Sequence, residues 1–345
     1  MLQPLVVGLG RSGSGLHLKT LARLARRTAA TGAPLVALPV IGCDPRAGAR
    51  AGAAGELTAF GSLEEALAGV EPAATVAHVC TPPRQRYDVI ARLADYGVRR
   101  LIVEKPLAAS AAELDALVGL RERAGLDMVV VAHWTGSRLA ARLRRLVREE
   151  TLGPLRRITV DQHKPRFLRS LTTDGHPTAL DVELPHSLAL ALDLAGPAEL
   201  RAAGCWELRC EDRVLPRLGG AHVELEHRSG VTTLLRSDLG AAVRQRSVVC
   251  AFEGGTATAH FPLSEDDDHA QLVVEGPDTG PAHHVFRDDA LTGFLEDAYR
   301  GFATGTAGAL NFPLACATAR LLCAARERCA VVPPPRVPQT PAESR

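Results

Sequence analysis

The sequence predicts an N-terminal α/β domain, a doubly wound parallel sheet, followed by an α+β domain with a largely antiparallel sheet. Three observations carry this. Apolar runs alternate with helical patterns over residues 1–133. A complete glycine fingerprint, Gly8-Leu9-Gly10-Arg11-Ser12-Gly13, stands between the first strand and the first helix. From Leu155 onward the pattern changes to successive strands without intervening helices. Alternation builds a parallel sheet covered on both faces, whereas uninterrupted strands build an antiparallel one.

In order, residues 4–8 read as a buried strand and 14–28 as the helix after it. Between them, Gly8 permits the tight turn, Gly10 lets backbone approach a pyrophosphate, and Gly13 lets helix and strand pack closely. The helix N-terminus offers free N–H groups and a positive dipole end to phosphates. Arg11 and Ser12 join the glycines as candidate cofactor contacts. A second apolar run, 34–43, ends in Asp44, after an inserted loop at Arg27–Ala33. A carboxylate there binds both ribose hydroxyls of NAD and repels a 2′-phosphate, whereas Arg46 would grip that phosphate. NAD is favoured, with NADP as the alternative.

Residues 60–68 predict a helix N-capped by Ser62. A strand at 75–80 ends in Thr81-Pro82-Pro83, a helix follows at 84–97, and Leu101-Ile102-Val103 forms the fourth strand. A helix at 109–124 and a strand at 127–132 complete a five-strand reading. Gly10, Asp44, Thr81, Lys105 and His133 all fall just past strand ends, on the edge where such sheets bind ligands. Lys105 stands out further. Of the 40 basic residues only Lys19, Lys105 and Lys164 are lysine. Lysine lowers its pKa on burial and hands over a proton, whereas guanidinium stays charged.

Composition narrows the function classes. A net charge of +1 over 345 residues argues against a nucleic-acid or membrane-surface protein. No apolar run approaches the ~20 residues that span a bilayer, and Met1-Leu2-Gln3-Pro4 leads into a strand with no basic n-region. Eight cysteines without a CxxC read as buried, reduced thiols in a cytoplasmic protein. No metal site is expected: His283 and His284 are adjacent, and neighbours on a strand point apart.

The glycine fingerprint, Thr81-Pro82-Pro83 and Glu104-Lys105-Pro106 together resemble the glucose–fructose oxidoreductase, inositol dehydrogenase and MocA (Gfo/Idh/MocA) family over nearly the whole chain. The resemblance implies that Lys105 reaches the reacting carbon and the nicotinamide. It also implies that Thr81 and Pro82 stand near the nicotinamide ribose, and that a histidine of the second domain is the acid/base. Glu104 is counted with the cofactor-binding residues. Arg86 replaces the histidine that usually follows the Thr-Pro turn, so no catalytic role passes to it.

The second domain spans 134–330 on this reading. A helix at 137–149 is followed by seven strands (155–163, 199–210, 220–228, 231–238, 245–253, 256–262 and 270–275) and two closing helices (288–303 and 311–328). The proline-rich tail, 331–345, is expected to be disordered. The family's Asp-x-x-x-His pair is matched only in part: Val182 stands four before His186, and Glu183 three before. His186 is the candidate general acid/base, with Glu183 as its orienter or a substrate-hydroxyl ligand. Asp181 is the competing partner. His163, Lys164, Arg166 and His176 make a basic loop that, lining a cleft, would favour an anionic substrate.

The expectation is an NAD(P)-dependent oxidoreductase moving a hydride between nicotinamide and a secondary alcohol or ketone of a sugar, cyclitol or sugar acid. The alternatives are a non-catalytic dinucleotide sensor, or an imine or C=C reductase on the same scaffold. By resemblance the chain assembles as a homodimer or homotetramer. Substrate identity and reaction direction stay open.

Overall fold

The computed structural model describes residues 1–53, 55–172, 177–264, 267–277 and 280–332. The expectations for His176 and for the tail beyond 332 lie outside these residues.

Six parallel strands form the first sheet: β1 (Gln3–Val7), β2 (Val40–Cys43), β3 (Leu57–Phe60), β4 (Thr75–Val79), β5 (Arg100–Val103) and β6 (Asp127–Val130). Their spatial order is β3-β2-β1-β4-β5-β6, the doubly wound arrangement with its switch between β1 and β4. The inner strands are almost wholly buried, because helices cover both faces. The helices are α1 (Lys19–Ala30), α2 (Ala47–Ala51), α3 (Leu63–Leu67), α4 (Arg86–Asp95) and α5 (Ala111–Ala124). Two details correct the five-strand reading. Leu57–Phe60 adds a sixth strand, inconspicuous in sequence because an edge strand buries little of itself. The apolar run at 34–43 pairs continuously only from Val40, since Pro39 has no N–H to donate.

The second sheet has nine strands: β7 (Leu155–His163), β8 (Ala198–Cys210), β9 (Arg213–His227), β10 (Thr232–Asp238), β11 (Gln245–Phe252), β12 (Gly255–His260), β13 (His269–Glu275), β14 (Ala282–Arg287) and β15 (Ala330–Val331). Pairing is antiparallel except for β7 with β10 and β8 with β15. Seven strands match the predicted ones in place. β14, which carries His283 and His284, and β15 are the additions, both on sheet edges.

α6 (Arg138–Glu149), the short α7 (Phe167–Thr172) and α8 (Leu184–Ala195) accompany this sheet. α8 is buried over nearly its whole length, as its Leu-Ala run with no solvent face requires. The last helices, α9 (Ala290–Thr304) and α10 (Ala307–Arg328), return to the first sheet. Phe294, Leu295 and Tyr299 pack with Val6, Leu21 and Ile102. Phe312 and Ala315 pack with Leu117 and Met128, while Leu322 and Ala325 enter the core of the second sheet. α10 is apolar on more than one side, so it serves two layers at once. Among the described residues no helix is long and apolar enough to cross a membrane.

Candidate active site

One continuous cleft runs from the glycine loop along the strand ends to the start of α8. At its nucleotide end Gly8 has φ +95°, and a side chain on Gly13 would stand 2.0 Å from the Gly8 carbonyl oxygen. The first conformation favours glycine, and the second contact permits only glycine. The chain turns helical at Arg11 and passes through one π-helical turn, Gly13–Leu18, before α1. Such turns recur at functional sites. Arg11 and Ser12 open this helix and line the cleft.

Asp44 closes β2. Its carboxylate accepts from Leu9 N–H (2.9 Å), from Arg46 N–H (2.9 Å) and from the Arg46 guanidinium at both oxygens (3.0 and 2.8 Å). Those Arg46 bonds, against the opposing effect of burial, hold Asp44 below the ordinary carboxylate range. Across the cleft, Thr81 Oγ1 is buried with no hydrogen-bond partner among the described residues. Gly10 faces open space except for Arg46 Nη2, 3.4 Å from where a Cβ would stand. An open glycine cradle, a helix N-terminus, an orphaned hydroxyl and a strand-end carboxylate fit a bound NAD(P).

The stretch at 104–106 follows β5. Lys105-Pro106 is a cis peptide bond. Lys105 Nζ donates to the carbonyl of Val182 at 3.1 Å, on the turn that leads into α8. Burial lowers its pKa, with Glu104 opposing and Arg86 and Arg169 assisting. Arg86 clamps the two turns of this edge: it donates to the carbonyls of Thr81 (3.2 Å) and Pro106. Its burial lowers even the guanidinium, to about 10.

Glu104 lines the cleft yet turns its carboxylate inward. Oε1 meets His17 Nε2 at 3.0 Å, and Oε2 accepts the Lys105 N–H at 3.1 Å. His17 Nδ1 lies 2.7 Å from His78 Nδ1, and His78 Nε2 lies 2.9 Å from the Tyr299 hydroxyl. Both histidines and Tyr299 have no exposed surface. Burial opposes the charge on His17, but Cys80 and the Glu104 carboxylate raise it to about 10. Burial likewise opposes ionisation of Glu104, and His17 and Lys105 overcome it, bringing the acid to about 2. His78 is driven well below its usual value by burial and by the charge on His17, so it stays neutral. Sequence reading missed this chain of contacts. Its one local signal was His78, a histidine inside a strand buried on both faces, which must find partners.

Beyond Lys105 the cleft is floored by His186, on α8, and His133, just past β6, with ring centroids 4.4 Å apart. Trp134 stacks on Phe261 and lies beside His186. Burial and then Arg246 lower His133 to about 4; burial, His133 and Lys105 lower His186 further. Both imidazoles are therefore neutral at pH 7. Lys164 is lowered to about 6 by burial and by Lys105, Arg246, Arg166 and Arg169, and it touches the Glu183 carboxylate. Arg166 is lowered to about 10 by burial and by Arg169 and Arg11. These cations depress one another, which marks a surplus of positive potential that an anion would relieve.

Three expectations change. Glu183 does not hydrogen-bond the His186 ring; its carboxylate is held by Lys164 and Gln162. Asp181, the rival, bonds Thr178 (2.9 Å) and faces Arg326 (3.6 Å), and burial raises its pKa. His163 leaves the cleft: side chains alternate along β7, so Gln162 faces in and His163 faces out towards Asp161 (3.5 Å). Lys164 and Arg166 follow the strand and do line the cleft. Arg169, Arg246 and Gln162 join them there and were not anticipated.

Parallel-sheet order, glycine cradle and strand-end ligands define a dinucleotide-binding Rossmann protein whose second domain contributes to the same cleft. Residues 2–133 match the model of the Gfo/Idh/MocA oxidoreductase family with its NAD-binding Rossmann fold. No curated protein matches the chain in sequence. The whole fold is similar to an NAD-binding oxidoreductase from Klebsiella pneumoniae (TM-score 0.77, 16% identity, 95% of this chain and 96% of that one). It is similar to a 3-ketoreductase from Actinomadura kijaniata crystallised with NADP and TDP-benzene (0.76, 16%, 96% and 98%). A third is an oxidoreductase from Agrobacterium radiobacter crystallised with NAD+, L-tartaric acid and magnesium (0.73, 15%, 95% and 96%).

Proposed function

We propose that the chain is an NAD(P)-dependent dehydrogenase or reductase acting on the secondary alcohol or ketone of a small, anionic, sugar-like or sugar-acid-like substrate. The observation that carries this reading is the meeting of Lys105 and His186 in one cleft. The Lys105 ammonium is tied to the Val182 carbonyl at the entry to the helix that bears His186. Bound NAD(P) supplies the hydride chemistry at C4 of its nicotinamide. Lys105 polarises the substrate oxygen, and neutral His186 accepts the hydroxyl proton during oxidation; in the reverse direction it first takes up a proton from solvent and then gives it to the substrate oxygen. Arg166, Arg169 and Arg246 supply the attraction for an anion. TDP-benzene and tartrate, bound by two similar structures, are anions as well.

NAD is the favoured cofactor, because Asp44 is ionised at the end of β2 and NADP would require Arg46 to leave it. Assembly as a homodimer or homotetramer would use the outward face of the second sheet, where Leu234 and Val249 are only partly covered. The test is consumption of NADH and of NADPH, followed by absorbance, against a panel of keto-sugars and keto-sugar acids with neutral counterparts. Turnover confined to acids supports the proposal. Tight NADH binding without turnover on any member favours the sensor reading instead, and turnover only on imines or enones sinks the assignment to CH–OH chemistry.

A further inference from the structure

We propose that Cys205 and Cys329 are a disulfide-forming pair, whose oxidation bolts the end of α10 to the second sheet. Their sulfurs lie 2.6 Å apart, closer than two unbonded sulfur atoms normally rest. Backbone pairing holds them there. β15 runs parallel to β8 with Ala330 opposite Gly204 and Val331 opposite Cys205, and Val332 N–H donates to the Cys205 carbonyl at 2.9 Å. Cys329 immediately precedes this strand, so the ladder fixes its position beside β8.

The two thiols divide the work of exchange. Cys205 has no exposed surface, whereas Cys329 is partly exposed and can meet a solute. Burial and the Cys329 sulfur push the Cys205 thiol up, and the positive charge of Arg217 opposes this. With a low-molecular-weight disulfide such as oxidised glutathione as oxidant, the Cys329 thiolate attacks one of its sulfurs. The glutathione S–S bond breaks and one glutathione thiolate leaves. Cys205 then gives up its proton as it displaces the second glutathione from Cys329 and forms the protein disulfide. Two protein thiols lose two protons and two electrons, and the oxidant becomes two glutathione thiols.

The placement gives the bond a consequence. α10 packs against β6 and α5 of the first sheet and against β8 and α8 of the second. Arg326, one turn before Cys329, donates to the Ala109 carbonyl at 2.7 Å, three residues beyond Pro106, and stands 3.6 Å from Asp181. Oxidation would fasten the helix that joins the two sheets on the side of the Lys105 turn.

The experiment uses the full chain, reduced, freed of reductant and incubated natively with oxidised glutathione. Thiols are then alkylated in denaturant and the peptides mapped by mass spectrometry. The expected product is a Cys205–Cys329 cross-link lighter by two hydrogen atoms, reversed by dithiothreitol, absent in Cys329→Ser, and accompanied by a higher thermal midpoint of the oxidised wild type. Full alkylation of both cysteines, glutathione retained on Cys329, or a cross-link from Cys329 to another cysteine would each overturn the proposal. The wild-type map decides this whether or not the variant folds.

Discussion

Nε2 of His17 stands 3.0 Å from Oε1 of Glu104, a buried ion pair directly behind the turn that aims Lys105 into the cleft. With His17 raised to about 10, the contacts take the following arrangement of protons at neutral pH. His17, as imidazolium, donates to Glu104 and to Nδ1 of His78, and neutral His78 carries its proton on Nε2, towards Tyr299. Glu104 thus belongs to the interior as much as to the cofactor edge. Four residues from β4, the turn after β5, the π-helical turn and α9 share one chain of contacts, so the Glu104-Lys105-Pro106 turn is braced by a helix from the far end of the polypeptide.

Removing His17 leaves Glu104 buried without its partner. His17→Ala should lower unfolding free energy by ~3–5 kcal/mol, the usual cost of breaking a buried pair from one side. Urea unfolding of wild type and variant measures it. A difference below ~1 kcal/mol would show that water or a shifted proton replaces the pair.

His17 and Lys164 pull the alkaline limb in opposite directions: Lys164, lowered from 10.5 to about 6, adds stability as pH rises through that range. His17 is raised from 6.5 to about 10, so its contribution is complete below 6.5 and is lost as pH climbs towards 10. On the acid side, His133 is depressed to about 4, and His78 and His186 are depressed further. The unfolded chain takes up protons below 6.5 that these folded sites refuse, and stability falls. Glu104 adds loss as pH drops from 4.5 towards 2. Urea midpoints across pH 5 to 9 check the shape, and His17→Asn should remove the fall that His17 contributes above pH 6.5.

Lys105→Ala should cut turnover by ~10²-fold or more while dinucleotide affinity survives, since the ammonium acts on the substrate oxygen. Tryptophan quenching by NADH reports the binding. Near-normal turnover would end the assignment.

Arg166 tests the anionic substrate. The residue is 6% exposed, its guanidinium donates to Ser170 at 2.9 Å, and its Nε has no partner among the described residues. Arg166→Gln should raise KM for an acidic substrate by ~10-fold or more, from the loss of a charge-assisted hydrogen bond, with kcat changed far less. Equal losses for acidic and neutral substrates would assign Arg166 to the scaffold instead.

What the sequence by itself determined lies at the turns. The glycine loop, Asp44, Thr81-Pro82-Pro83 and Glu104-Lys105-Pro106 each end or follow a strand of the parallel sheet, and they line one cleft. Such features are local: a few consecutive residues set the backbone, and strand alternation sets the edge. Tertiary structure alone decided the partners. His17 and Glu104 are 87 residues apart, and His78 and Tyr299 are 221 apart, so no short window could pair them. The parity of β7 sent His163 outward and Gln162 inward, and packing gave Glu183 to Lys164 and Gln162 and left the His186 ring against His133. A turn is written in neighbouring residues, but a buried charge is satisfied by whichever element packs over it.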